Sequence, residues 1–261
     1  QLVRTMQAGR LPAGAFTDDT EMALALADSL LERSPLDADS LAHHFVAWYH
    51  AGPSDIGIQT SNVLSRIARG ATWQAAVDAV QRAKPESAGN GSVMRCWPVA
   101  LAHWDDLDSL LADSRLQSQV THPRPECVAG SAFVNATIYH LVHGVEAQAA
   151  VGQALDQVAM PPALRQAIEA APMRRRGELP NSGWVCHMVE SAIWGLLTTS
   201  SFEEAVVQVV NLGNDADTAG AVVGALAGAA YGLAAISAAW RASLHGECPL
   251  RSGIRWDETR L

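Results

Sequence analysis

Residues 213–232, GNDADTAGAVVGALAGAAYG, constrain this chain more than any other stretch. Asp215, Asp217 and Thr218 are followed by a run without charge that lasts through Trp240. Gly220, Gly224, Gly228 and Gly232 recur every fourth residue, which places them on one face of a helix. Each glycine costs about 1 kcal/mol against alanine in a helix interior, so four of them predict a neighbouring helix packed close against that face. The run is long enough to cross a bilayer. It is Gly/Ala-rich rather than Leu/Ile-rich, however, and it occurs once, at the end of a chain of amphipathic segments. A helix apolar all round in that setting is a core helix, so no membrane span is expected. The expectation is a buried central helix whose N-terminus, with two acids, opens into a site.

The rest of the chain repeats helical periodicity. Apolar residues at helical spacing mark 20–33, 40–52, 59–70, 72–83, 93–103, 127–144, 145–159, 184–199 and 201–213. Gly52 followed by Pro53 is a helix exit, and Pro98 predicts a kink or a late start. Alternation of the strand type is scarce. The predicted class is therefore all-α, an orthogonal helical bundle, with residues 1–261 as a single domain. A hydrophobic fraction of 49% and a charged fraction of 17% fit a packed globule. The net charge of -9 argues against nucleic-acid binding through a basic face. Any phosphate would need a metal or a local arginine cluster to receive it. Cys96, Cys127, Cys186 and Cys248 form no CxxC pair, which suits reduced thiols and a cytoplasmic setting. The polar loop 173–183, with Arg174, Arg175 and Arg176, reads as solvated.

Three stretches carry chemistry. In GAFTDDTEMALALADSLL (14–31), Asp18 and Glu21 have the spacing of a capping box. Capping explains one acid but not the adjacent pair Asp18 and Asp19 flanked by Thr17 and Thr20, because like charges that close repel unless a cation or solvent relieves them. Asp215, Asp217 and Thr218 repeat the arrangement at a second helix start. Two acid clusters with hydroxyl neighbours would offer oxygen ligands to hard cations such as Mg²⁺ or Mn²⁺. Helix caps remain the plain alternative. In ESAGNGSVMRCWP (86–98), the turn Gly89–Ser92 is either a plain helix start or a set of N–H donors for phosphate or sugar oxygens. His122, ahead of Pro123, is by itself loop structure, and His140 and His143 read as packing or surface.

TDDTEMALAL, AGNGSVMRCWP, THP, NSGWVCHMVESAIW and NLGNDADTAGAVVGALAGAAYG, in this order, resemble the ADP-ribosylglycohydrolase family. The nearest likeness is to the bacterial dinitrogenase-reductase-activating glycohydrolase branch, over about residues 10–245. The resemblance implies an all-α fold with a two-metal centre, and hydrolytic release of ADP-ribose from a protein side chain, most typically arginine. It places Mg²⁺ or Mn²⁺ ligands at Thr17, Asp18, Asp19, Asp215, Asp217 and Thr218, with Asp18, Asp19 and Asp217 as the catalytic acids. It places substrate contacts at Asn90, Gly91, Ser92, His122 and Trp184, and Asp55 matches a further family stretch. The partners implied are ADP-ribose and an ADP-ribosylated protein. The family usually begins with a glycine-rich helix and a glutamate that this chain does not contain, so an N-terminal helix is expected to be missing. Ser87, with Glu86 beside it, stands where near relatives often carry an acid. The competing expectation is a weakly active or inactive ADP-ribose-binding or toxin-immunity protein of the same fold.

Overall fold

The computed structural model describes residues 2–9 and 11–244, and Cys248 lies outside them. The described residues hold thirteen α-helices and no strand. In chain order they are α1 (Asp18–Glu32), α2 (Ala38–His50), α3 (Ile58–Ile67), α4 (Trp73–Ala83), α5 (Pro98–Ala102), α6 (Leu107–Gln119), α7 (Pro125–Val142), α8 (Ala147–Gln157), α9 (Pro162–Ala170), α10 (Val185–Thr198), α11 (Phe202–Val210), α12 (Ala216–Tyr231) and α13 (Ala238–Ser243). The bundle is all-α, as the periodicity predicts. Pro98 opens α5 at its first turn rather than kinking a longer helix, since its missing N–H is no loss there. None of the described helices is long and apolar enough to cross a membrane. Cys96, Cys127 and Cys186 are buried free thiols.

α7 and α10 are buried on nearly every side, and α12 packs against α1, α7, α10 and α11. The sequence predicts nothing over 107–119 and 162–170, where α6 and α9 form. α6 hides from a hydrophobic pattern because its inward face is largely polar: Asp113, Ser114, Gln117 and Ser118 are all buried.

The glycines of α12 do not act as one seam. A Cβ on Gly220 would fall 2.9 Å from Val210 Cγ1, whereas one on Gly224 would meet nothing within 4 Å. Gly232 ends the helix in the left-handed region, at φ +75. The tight crossing lies instead at Gly195 of α10, where a Cβ would be 2.4 Å from Val209 Cγ2 and 3.1 Å from Val223 Cγ2. Gly195→Ala is therefore expected to destabilise the protein by about 1–3 kcal/mol through overpacking. Gly224→Ala should stabilise it by up to about 1 kcal/mol. Urea melts of the two variants check this, and equal effects would refute the assignment of the close contact.

Candidate active site

α1 and α12 begin at the same cleft: α1 brings Asp18 to it, with Asp19 behind, and α12 brings Asp215 and Asp217. The chain reaches α12 through Gly213 (φ +78) and Asn214 (φ +55), both left-handed, a conformation glycine and asparagine adopt at least cost. Asn181 Nδ2 fixes that loop by donating to Gly213 O at 2.6 Å. A helix N-terminus favours negative charge, so two of them side by side partly offset the cost of gathering carboxylates.

The acids are not caps. Thr17 and Asp215 hold the N-cap positions of α1 and α12, and neither side chain accepts a backbone N–H. Thr17 Oγ1 instead donates to Asp19 Oδ2 at 2.7 Å. Asp215 Oδ2 accepts from Asn90 Nδ2 at 2.7 Å. Glu21, the other half of the supposed capping box, accepts from Trp48 Nε1 at 2.7 Å in the core.

A cleft of about 440 Å³ is lined by Asp18, Asp55, Asp215, Asp217 and Thr218, with Asn90, Gly91 and His122 facing them. Among the described residues, no lysine or arginine lines it. Burial, then the charges of Asp19, Asp55 and Asp217, push Asp18 up to about 7. Burial is also the main cause for Asp19, raised to about 6 with Asp217 adding to it and the Thr17 hydrogen bond opposing. Asp215 is raised by burial against the pull of Asn90 and Thr218. Asp19 Oδ1 is buried with no hydrogen-bond partner among the described residues. Among the described residues, no three His, Cys, Asp or Glu side chains converge as a ready-made metal cage; the acids are neighbours around a cleft.

The turn before residue 92 is held by an antiparallel bridge between Gly89 and Trp184. Asn90 N donates to Gly183 O, and Val185 N to Ala88 O, each at 3.0 Å. Gly91 has a steric reason: a Cβ there would lie 2.7 Å from His122 Cε1. The structure thus brings Asp18, Asp215, Asp217, Thr218, Asn90, Gly91 and His122 together. Thr17 and Asp19 sit directly behind them, and Trp184, about 39% exposed, stands outside the lining with its ring edge-on to His187. Ser92 departs from the expectation. It is fully buried, and its hydroxyl meets Ser118 Oγ at 2.8 Å and Ser131 Oγ at 3.3 Å, because the helical turn that follows points it inward. Its carbonyl accepts from Gln117 Nε2 at 3.1 Å, and it is not among the residues lining the cleft.

Gln59 and Thr60 of α3 also line the cleft; they end PSDIGIQT (53–60), the family-like stretch in which sequence alone marks only Asp55. Gln59 ties α3 to the site by donating to Thr121 O at 2.8 Å and accepting from Ser87 Oγ at 2.6 Å. Of the loop arginines, Arg175 is solvated as expected and pairs with Glu178 of its own loop, whereas Arg174 and Arg176 also brace the fold. Arg174 Nε donates to buried Glu190 at 2.8 Å, and Arg176 donates to Asn211 O.

The fold and cleft define an all-α protein with an acid-walled pocket at two converging helix N-termini. The chain belongs to the ADP-ribosylglycohydrolase family, whose sequence profile matches residues 1–258. It is 33% identical to ADP-ribosylarginine hydrolase Tri1 of Serratia proteamaculans (strain 568), over 88% of this chain and 63% of that protein. It is 31% identical to ADP-ribosyl-[dinitrogen reductase] glycohydrolase of Rhodospirillum rubrum, over 90% of this chain and 75% of that one. A solved structure described as an ADP-ribosylglycohydrolase-related protein complex superposes with a TM-score of 0.79 at 34% identity, covering 94% of this chain and 82% of that chain. The chain thus spans less than two thirds of the length of the Tri1 relative.

Proposed function

We propose that this protein hydrolyses ADP-ribose from modified protein side chains, with arginine as the modified residue and two divalent cations, Mg²⁺ or Mn²⁺, as cofactors. Residues 1–261 are read as the single domain that carries this site. The observation that carries the proposal is the meeting of Asp18, Asp215 and Asp217 from two helix starts with Asp55, Asp19 lying just behind, in a cleft that no lysine or arginine lines among the described residues. A cleft so charged repels a diphosphate unless cations neutralise it. The residues suit hard cations: the donors are all oxygens, burial leaves the carboxylates undersolvated, and Asp19 Oδ1 has no partner among the described residues. Thr17, Asp18, Asp19, Asp215, Asp217 and Thr218 would hold them.

Bound cations would supply charge neutralisation for the ribose oxygens and a lower pKa for an attacking water. The chain's own residues do the rest. Asp18, Asp19 and Asp217 take and return the proton as water attacks the anomeric carbon and the guanidinium leaves. Asn90, His122 and the backbone of Gly91 orient ribose and phosphate oxygens. Trp184 offers a ring at the rim. The choice of arginine is supported by the likeness to a relative named as an ADP-ribosylarginine hydrolase.

The test is ADP-ribose release from an arginine-ADP-ribosylated protein with Mg²⁺ or Mn²⁺ and with EDTA. Release that requires the metal is expected. ADP-ribose binding without release, at any metal concentration, would replace the hydrolase with a binding protein of the same fold.

A further inference from the structure

Among the described residues, a buried arginine stands behind the cleft with no carboxylate in ion-pair contact, the charge of Asp18 reaching it only from further off. Arg95 is fully buried. Its Nε donates to Gln117 Oε1 at 3.2 Å, and its Nη2 donates to Gln117 O at 3.1 Å and to Thr121 Oγ1 at 2.7 Å. Its Cζ lies 4.3 Å from the centroid of the Phe45 ring. Burying a guanidinium without a directly contacting counter-ion is costly, so the arrangement calls for a use beyond packing.

The use follows from counting hydrogens. A guanidinium only donates, so the Thr121 hydroxyl accepts from Arg95 and its own hydrogen needs another acceptor. His122 Nδ1 is 2.8 Å from Thr121 Oγ1. If Nδ1 accepts, the ring proton sits on Nε2. That nitrogen makes no hydrogen bond within the described residues and faces the cleft, where a Cβ on Gly91 would come within 3.0 Å of it and one on Gly89 within 3.6 Å. The main chain is fixed as well: His122 N donates to Ser118 O at 2.7 Å, and Ser118 Oγ donates to His122 O at 2.9 Å.

We infer that Arg95 and Thr121 are positioning residues that fix His122 as a neutral, Nε2-protonated donor aimed into the cleft, where it gives one hydrogen bond to a ribose or phosphate oxygen of bound ADP-ribose. The ligand half of this inference rests on the function proposed above. The opposite tautomer would turn a lone pair toward a phosphate oxygen and repel it, and toward a ribose hydroxyl it would accept rather than donate. A second ring proton is also disfavoured, because burial and then the Arg95 charge push His122 down to about 3.

The tautomer can be read directly. Long-range ¹H–¹⁵N correlation on histidine-labelled full-length protein, with His122 assigned by the signal lost in His122→Asn, should show a pyridine-type Nδ1 and a pyrrole-type Nε2. The pattern should hold from about pH 5 to about pH 8, where an ordinary histidine titrates. Thr121→Val removes the hydroxyl at similar volume. It should shift the Nδ1 signal and weaken ADP-ribose binding about five- to tenfold, the worth of one hydrogen bond. Thr121→Ser should restore the wild-type pattern. A wild-type ring protonated at Nδ1, or titrating in that range, overturns the assignment even if no variant folds. So does a Thr121→Val spectrum identical to wild type. Because the spectrum is recorded without ligand, the expected tautomer in a protein that binds no ADP-ribose would sink the substrate reading and leave the relay standing.

Discussion

Asp217→Ala should lower ADP-ribose release by about a thousandfold, the scale on which removal of a group that stabilises developing charge is felt. Asp217 is in the first turn of α12 and is exposed to the cleft. Its loss therefore opens no cavity in the core, and the helical signal and melting temperature should stay near those of the parent. Its charge raises the carboxyls of both Asp18 and Asp19, so it faces both acids of α1. It would act there as a ligand to the cations and as a carrier of the proton. Release is measured against metal concentration. A loss that excess Mn²⁺ partly recovers identifies a ligand, and a loss that it does not recover identifies a proton carrier. Release within a few-fold of the parent would remove Asp217 from the site.

The two acid clusters were legible in the sequence because a cap explains one carboxylate and each cluster holds two. The bundle was legible wherever an apolar stripe recurs. α6 was not, since its buried face carries Gln117, Ser118 and Asp113 in place of leucines. Those side chains answer partners distant in sequence: Gln117 meets Arg95, Ser118 meets Ser92, and Asp113 Oδ2 meets His103 Nε2 at 2.6 Å. Tertiary partners of this kind leave no local period. The same reason hid the inward turn of Ser92, while Gln59 and Thr60 lay in the same family-like stretch as Asp55 and only their placement on a third helix shows that they reach the cleft. Glycine spacing overstated one feature and missed another. Gly220 and Gly224 share a face of α12 yet differ in what a side chain would meet, while Gly195, outside any glycine pattern, is the tightest contact of the three. Spacing gives the face of a helix, but only the partner helix decides which position on that face is crowded.

Metal-free protein should lose stability as pH rises from about 4 to about 7. Asp18 has an ordinary value of 3.8 and a folded value of about 7. Between those limits the folded chain keeps a proton that the unfolded chain has released, so stability falls with rising pH and levels off above about 7. Asp19, raised to about 6, adds a similar slope over only the lower part of the same window and so a smaller total. For Asp18 the total is at most about 4 kcal/mol, three pKa units at 1.36 kcal/mol each, and relaxation of the acids will reduce it. Divalent cations bind the ionised carboxylates, so millimolar Mn²⁺ should raise the melting temperature strongly near pH 8 and weakly near pH 5. Asp18→Asn separates the two effects. Without a proton to release, the metal-free variant should melt higher than the parent near pH 8, on the order of 5 °C for a few kcal/mol. It should also lose most of the rise given by Mn²⁺ and most of the hydrolysis. Thermal melts of parent and variant, with Mn²⁺ and with EDTA at the two pH values, decide the matter. A metal-free parent that grows more stable toward pH 8, or a variant that keeps the full metal-induced rise, would mean that Asp18 is neither strained by its neighbours nor a ligand. The expected pattern would instead mean that the fold gives up stability at this cleft to keep four carboxylates ready for cations.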